Sequence, residues 1–253
     1  QGLNDLKKAL SLSSDWRYYQ YLANYYINKG RFDEAIAVSG PYFRSHPEDF
    51  RMGTVYARSL LLGKRYSEAD AVLTKLNIIP VEGATGGREM YREAKLMQAA
   101  ELIRKNNYKG ALKFINQAAL WPENLGVGKP YDEDIDNRLE NWMEYLCLKR
   151  LGKNEEATLK LERITAFTPR TENGVRNFLA SNAIITAIAF EIQGKRDMAE
   201  EWIGGQIKEH PGNRLLEWSR SVFENQQDIQ LSDNEKDANS RIIIELIKSG
   251  NLR

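Results

Sequence analysis

The sequence predicts an all-α fold in which antiparallel helix pairs stack into a solenoid. The first observation is a short motif, an aromatic residue followed by x-Glu-Ala, at Phe32–Ala35 and again 34 residues later at Tyr66–Ala69. The second is the return of its alanine in weaker copies, at Ala111, Ala157 and Ala199. A 34-residue period is typical of a helix–turn–helix unit that buries its apolar face only against its neighbours.

The chain is predicted to begin with a half-repeat over residues 1–15. Leu6 and Ala9 fall where the second helix of a preceding unit would place its packing residues, and Tyr18 and Tyr25 need a cover on that side. The half-repeat is apolar, whereas a terminal cap needs a polar outer face. We therefore expect the natural chain to continue upstream.

The first full repeat is predicted over residues 16–49. Gly30 is expected to end the first helix, because glycine tolerates positive φ. Pro47 is expected to end the second, because proline stops a helix. The first helix carries apolar residues at the i, i+3, i+4, i+7 spacing of a buried stripe, namely Tyr19, Leu22, Ala23 and Tyr26.

Four further repeats follow the same plan. The intervals between the recurring alanines are 34, 42, 46 and 42 residues, so the later repeats carry extra chain. We expect it in loops after the closing prolines, a common location for functional elements. The predicted repeats are 50–83, 92–125, 138–171 and 180–213, and the predicted loops are 81–89, 123–136 and 170–176.

Residues 214–253 are predicted to form C-terminal capping helices. The segment from Ile242 to Ile247 is strongly apolar. It either docks within the chain or forms a homodimer contact.

Composition and single residues give little support for catalysis. A net charge of +1 gives no bulk reason to expect nucleic acid, and no apolar stretch is long enough to span a membrane. His46 and His210 both stand immediately before a closing proline, which indicates a turn position. Cys147 has apolar neighbours and is predicted to be a buried, inert thiol. We expect no enzyme activity, no metal and no cofactor.

Two segments partly match known ligand-binding loops but lack residues that those loops require. The acidic run Asp132–Asp136 begins like a calcium loop, but Asn137 and Met143 stand where glycine and glutamate are needed; helix capping is favoured instead. Gly126–Lys129 lacks the glycine spacing and the Ser/Thr of a phosphate loop. The glycine-rich segment 83–87 is predicted to be a flexible turn.

The repeat signature resembles the tetratricopeptide repeat (TPR) family from Trp16 to Gly212. The resemblance implies a right-handed superhelix that serves as a protein-interaction scaffold. One TPR subgroup holds chaperone C-terminal carboxylates. Asn24 matches one of its residues, but Val55, Glu93 and Met97 replace the others, which argues against that ligand.

In TPR proteins the first helices line the concave groove. Here that lining starts polar and cationic and becomes apolar farther along, a sequence that suits an extended segment with an acidic end and a hydrophobic anchor. The alternative is that these are ordinary solvated or packed residues. The predicted groove residues are Arg17, Gln20, Asn24, Asn28, Arg51, Thr54 and Arg58, followed by Leu96, Ala100, Ile103, Leu139, Trp142 and Leu146.

A second resemblance covers Trp121–Tyr131. This segment is similar to a loop in the C-terminal TPR region of large bacterial proteins that carry an uncharacterised, carbohydrate-enzyme-like β domain upstream. It implies a soluble bacterial protein, cytoplasmic or periplasmic. The first functional hypothesis is a non-catalytic scaffold that binds a protein or peptide segment, possibly an upstream domain of the same polypeptide. The alternative is an accessory region of a carbohydrate-active enzyme, with Trp121 and Tyr131 as stacking surfaces.

Overall fold

The computed structural model describes residues 3, 6, 8, 10, 12, 14–80, 86–168, 171–172, 175–176, 179–226, 229–233 and 235–252. Within these ranges the regular secondary structure is helical, apart from one antiparallel hairpin of two-residue strands, β1 (Thr171–Glu172) and β2 (Val175–Arg176). None of the described helices is long and apolar enough to cross a membrane. The predicted all-α class is confirmed.

The first ten α-helices form consecutive pairs joined by short turns, and α11 and α12 follow them. Their bounds are α1 Trp16–Asn28, α2 Phe32–Ser45, α3 Phe50–Leu62, α4 Tyr66–Lys75, α5 Gly86–Arg104, α6 Tyr108–Ala118, α7 Arg138–Arg150, α8 Asn154–Thr165, α9 Ala183–Ile192, α10 Arg196–Glu209, α11 Arg214–Phe223 and α12 Ala238–Lys248. Short 3₁₀ turns lie at Glu123–Leu125, Asp132–Asp134 and Ala180–Asn182.

One backbone turn recurs at the end of each first helix. A residue with positive φ ends the helix, and the residue after it donates its N–H to a carbonyl five positions back, at 2.8–3.0 Å. These are the bonds of a Schellman-type C-cap, which satisfies carbonyls that the helix leaves open. The positive-φ residues of the five predicted repeats are Gly30, Lys64, Asn106, Gly152 and Gly194.

The recurring alanine lies five residues after that turn in all five repeats, and it is 0–1% exposed each time. A small side chain there lets the second helix approach its neighbours closely. The five alanines therefore occupy equivalent places, and the predicted repetition of helix pairs is confirmed.

The same turn appears twice more, at Asn225 after α11 and at Gly250 after α12. Both helices thus end as first helices of a repeat do, although the sequence indicated only capping helices. Residues 229–233, which follow the turn at Asn225, are not helical.

The chain divides into two compact units. Unit 1 comprises residues 1–98 and 117–129. Near its start, helical residues of the predicted half-repeat pack against the core of α1 and α2. The packing residues are Leu3, Leu6 and Leu10, and the core residues are Leu22, Tyr26, Ile27 and Ala35.

The loop after α6 is fastened to unit 1 by main-chain and side-chain hydrogen bonds. The Asn124 amide donates to the carbonyl oxygens of Leu73 and Leu76, at 3.1 and 2.7 Å, and the Ile78 N–H donates to the Asn124 carbonyl at 2.8 Å. Within the predicted edge loop 123–136, Asn124 is therefore held by hydrogen bonds, and Leu125 is buried.

The glycine-rich segment needs a correction at its end. Residues 81–85 lie outside the described ranges, but Gly86 and Gly87 begin α5 rather than continuing a turn. At Gly87 a Cβ atom would lie 2.8 Å from Ile78 Cδ1 and 2.9 Å from the Leu125 carbonyl oxygen. Glycine is therefore required there by close packing, a need that the sequence pattern does not distinguish from turn flexibility.

Unit 2 comprises residues 99–116 and 130–253. Its α9 packs against α7, α8, α10 and α11. The start of α12 is held by two polar contacts, Ser181 to Asp237 and Asn239 to Asn182, each 2.8 Å. On α12, Ile242, Ile243 and Leu246 are 0% exposed, so these three side chains are docked within the chain.

Candidate functional site

Two arginines of the predicted groove meet on one aromatic ring in unit 1. The guanidinium carbons of Arg17 and Arg51 lie 5.1 and 3.9 Å from the centroid of the Trp16 ring. Arg17 is on α1 and Arg51 is on α3, and the packing of these helices brings both cations to the same indole. Trp is the strongest cation–π partner among the side chains.

Each arginine is also held by the aspartate that caps its own helix. Asp15 accepts from the backbone N–H and from Nη1 of Arg17, at 2.9 and 3.0 Å. Asp49 accepts from the backbone N–H, Nε and Nη2 of Arg51, at 3.1, 3.0 and 3.2 Å. Each aspartate thus caps a helix and orients a guanidinium.

The charges in this cluster shift the acid–base properties of its members. The backbone hydrogen bond from Arg17 lowers the pKa of Asp15, and the hydrogen bond to Asp49 raises the pKa of Arg51. Burial, and then the negative charges of Asp49 and Asp15, raise the pKa of Tyr42. The three shifts favour the charged form of Asp15, the charged form of Arg51 and the neutral form of Tyr42.

A short aromatic stack adjoins the pair of arginines. The rings of Tyr19 and Tyr42 are 4.6 Å apart, and His46 stacks on Tyr42 at 4.4 Å with an interplanar angle of 19°. His46 follows the last residue of α2, and His210 follows α10 in the same way. The predicted turn positions of both histidines are confirmed.

The other polar groove residues follow the two arginines along the same helices. Asn24 and Arg58 each lie seven residues, about two turns, beyond the arginine of their helix, and so share its face. Gln20 and Asn24 are half-buried, and Asn28 and Arg58 are exposed. We call the surface formed by Trp16, Arg17, Gln20, Asn24, Asn28, Arg51 and Arg58 the arginine face.

The prediction that Trp142 lines the apolar part of the groove is wrong. This side chain is 0% exposed and packs beside Tyr145, with ring centroids 5.2 Å apart, so it has no surface to offer a ligand. Most of the other apolar residues predicted to line the groove are also buried, namely Leu96, Ala100, Ile103 and Leu139. Their helices are covered by neighbours on more than one side, which a single-helix pattern does not reveal.

The two aromatic residues predicted for the edge loop have different environments. In unit 1 the guanidinium of Arg88 lies 4.5 Å from the Trp121 ring centroid and donates to the Ala118 carbonyl at 2.7 Å, so one face of Trp121 is occupied. In unit 2 Tyr131 is 78% exposed.

The positions of the chaperone-tail subgroup do not form a carboxylate site. Val55, Glu93 and Met97 are 7%, 5% and 3% exposed. Among the described residues, no group of three or more His, Cys, Asp and Glu side chains is placed to hold a metal ion.

Sequence reasoning missed an Asp-x-Arg pattern that organises the arginine face. Asp15–Arg17 and Asp49–Arg51 are 34 residues apart, the length of one repeat. This spacing was the available signal. A third Asp-x-Arg, Asp136–Arg138, lies in unit 2, where both side chains are only 1% exposed.

Cys147 gives a prediction of its own. Burial, with a smaller effect from Glu144, raises the pKa of its thiol from 9.0 to about 12. At pH 8 the native protein should therefore react with a disulfide reagent at least about a hundredfold more slowly than the urea-unfolded chain. Because the unfolded thiol ionises first, this group also removes stability between pH 9.0 and about 12. Equal rates in the two states would contradict the buried, neutral thiol.

Comparison with known proteins yields structural similarity alone. No family model and no curated protein matches the chain. Among solved structures it is similar to YrrB, described as a TPR protein with an unusual peptide-binding site, at 15% identity and a TM-score of 0.40, over 85% of this chain and 97% of that one. It is also similar to TTC0263, a thermophilic TPR protein of Thermus thermophilus, at 16% identity and a TM-score of 0.45, over 83% of this chain and 97% of that one.

Proposed function

We propose that the protein is a non-catalytic scaffold whose arginine face binds a protein or peptide segment. The observation that carries this proposal is the meeting of Arg17 and Arg51 on Trp16, with each guanidinium oriented by its own aspartate. A pre-oriented cation loses less side-chain entropy when a partner binds. The arginine side chains are 60% and 45% exposed.

The chemistry of this face favours a partner with a carboxylate. Within the described residues, Nη1 of Arg51 and Nη2 of Arg17 make no hydrogen bond. Guanidinium N–H groups pair with carboxylates in a planar, often bidentate way, and the amides of Gln20 and Asn24 supply both donors and acceptors beside them. An extended acidic segment, from a separate protein or an upstream domain of the same polypeptide, fits these groups.

The alternative, an accessory region of a carbohydrate-active enzyme, relies on the edge loop. Trp121 is a poor stacking surface because Arg88 already covers one of its faces. Tyr131 is the better candidate, since its ring is largely exposed. Loss of glycan or enzyme-domain binding on Tyr131→Ala, with Trp121 intact, would favour this alternative.

Charge reversal tests the arginine face. Peptides are selected from a displayed random library on the wild-type protein and their affinities measured by calorimetry. The double variant Arg51→Glu/Arg58→Glu should weaken the selected peptides at least about tenfold, because two cations become anions on the binding face. The matched control is Arg31→Glu/Arg65→Glu, which changes the charge equally at two exposed arginines in the N-cap positions of α2 and α4. Failure to select any peptide, or equal weakening by the control, would refute the proposal.

A further inference from the structure

The Asp49–Arg51 pair of the arginine face has a buried counterpart in Asp136–Arg138. In both pairs one carboxylate oxygen, Oδ1, accepts from the backbone N–H and Nε of the arginine, and Oδ2 accepts from Nη2. The distances are 3.1, 3.0 and 3.2 Å for Asp49–Arg51 and 3.2, 2.9 and 2.6 Å for Asp136–Arg138. Both guanidiniums also lie on an aromatic ring, Trp16 at 3.9 Å and Phe167 at 4.5 Å.

The buried pair binds the main chain of another segment. Oδ2 of Asp136 accepts the backbone N–H of Leu179 at 3.1 Å, and Nη2 of Arg138 donates to the carbonyl oxygen of the same leucine at 3.3 Å. Leu179 has φ −98° and ψ 108°, an extended conformation. The pair thus satisfies both polar groups of one extended residue.

This contact is made by main-chain atoms, whereas the Leu179 side chain remains 39% exposed. The recognition therefore depends on backbone conformation and not on the identity of the residue. Arg138 places its remaining terminal nitrogen, Nη1, on Thr186 at 3.0 Å.

In the Asp49–Arg51 pair the corresponding atoms bind no second segment among the described residues, where Oδ2 of Asp49 accepts only from Nη2 of Arg51. The Arg51 side chain is 45% exposed and the Asp49 side chain 8% exposed, so the pair meets solvent mainly through its guanidinium. The two pairs also differ in their position on the helix: Asp49 is the N-cap of α3, whereas Asp136 precedes the N-cap Asn137 of α7. The three shared bonds lie within the Asp-x-Arg tripeptide, so this shift leaves them intact.

We propose that Asp49 and Arg51 form a clamp for the main chain of one extended residue of the bound partner. Oδ2 of Asp49 accepts the N–H of that residue, and the Arg51 guanidinium donates to its carbonyl oxygen. The inference rests on the proposed function, because it takes the arginine face as the binding surface. It adds the mode of recognition, which selects an extended segment and tolerates many side chains.

The probe for the clamp is a capped synthetic peptide, acetyl-Asn-Phe-Leu-Ala-Ser-Asn-amide, which has the sequence around Leu179. Its binding is followed by NMR through the Nε–H signal of Arg51. Two changes remove the N–H contact: methylation of every backbone nitrogen of the probe, and the variant Asp49→Asn. Asparagine caps helices as well as aspartate does, so the start of α3 is preserved, and Asp237→Asn, at the N-cap of α12 and outside the arginine face, is the matched control.

We expect saturable binding to the wild type and to Asp237→Asn, and at least tenfold weaker binding after methylation of the probe or in Asp49→Asn. Equal binding by Asp49→Asn, equal binding of the methylated probe, or no binding of the probe at millimolar concentration would overturn the clamp. The proposed function is judged separately. Library peptides that lose affinity for Arg51→Glu/Arg58→Glu but keep it for Asp49→Asn would leave the binding face standing without the clamp.

Discussion

Replacing Arg138 by methionine should lower the free energy of unfolding by about 3–5 kcal/mol, since it leaves the Asp136 carboxylate buried without its partner. Both side chains are 1% exposed, and the guanidinium also bonds Thr186 and the Leu179 carbonyl. The loss is measured by urea denaturation followed by circular dichroism.

Two further variants separate the charge effect from simple loss of packing. Asp136→Leu/Arg138→Met removes both charges and should recover most of the stability, because an apolar pair often replaces a buried ion pair without loss. Lys153→Met breaks an exposed ion pair of unit 2, with side chains 52% and 56% exposed, and should leave the denaturation midpoint unchanged. A double variant as unstable as Arg138→Met would contradict the charge argument.

Replacing Trp142 by alanine should cost about 3–5 kcal/mol, the usual range for emptying a large core site. The indole is fully buried, and its Nε1–H has no hydrogen-bond partner among the described residues. Phenylalanine at this position should therefore cost less, because it keeps an aromatic ring and removes no hydrogen bond. Denaturant midpoints measure both losses.

The Trp142→Phe variant also tests the correction to the predicted groove. Peptides selected on the wild-type protein should bind it with unchanged affinity, because the side chain has no exposed surface. Specific loss of binding by a variant that remains folded would return Trp142 to the binding site.

The repeat frame was readable from the sequence because it depends on local features. A residue that ends the first helix and an alanine five positions later are set by backbone conformation and by close helix contact. Three of these turns, at Lys64, Asn106 and Asn225, cannot be predicted from the position of a glycine. They adopt the positive φ that glycine adopts elsewhere, so a search for glycine alone passes over them.

The candidate site was only partly predictable. The prediction that Arg17 and Arg51 line the groove follows from their positions on first helices. Their contact with the same Trp16 ring depends on how α1 and α3 pack, which the sequence pattern does not give. The burial of Trp142 likewise depends on how α7 packs in the fold, where it contacts α8 and α9. The binding of Leu179 by Asp136 and Arg138 spans 43 and 41 residues, and no periodic pattern carries that information.

The recurring turn after each first helix has a consequence for how such a protein can evolve. Its hydrogen bonds close within six consecutive residues, and the turn is the same whether 34, 42 or 46 residues separate successive copies. Gene duplication, deletion of a repeat or growth of a connecting loop can therefore alter the length of the protein without changing the turn that joins the helices of each repeat. New surfaces can be acquired in this way while the older modules keep their geometry.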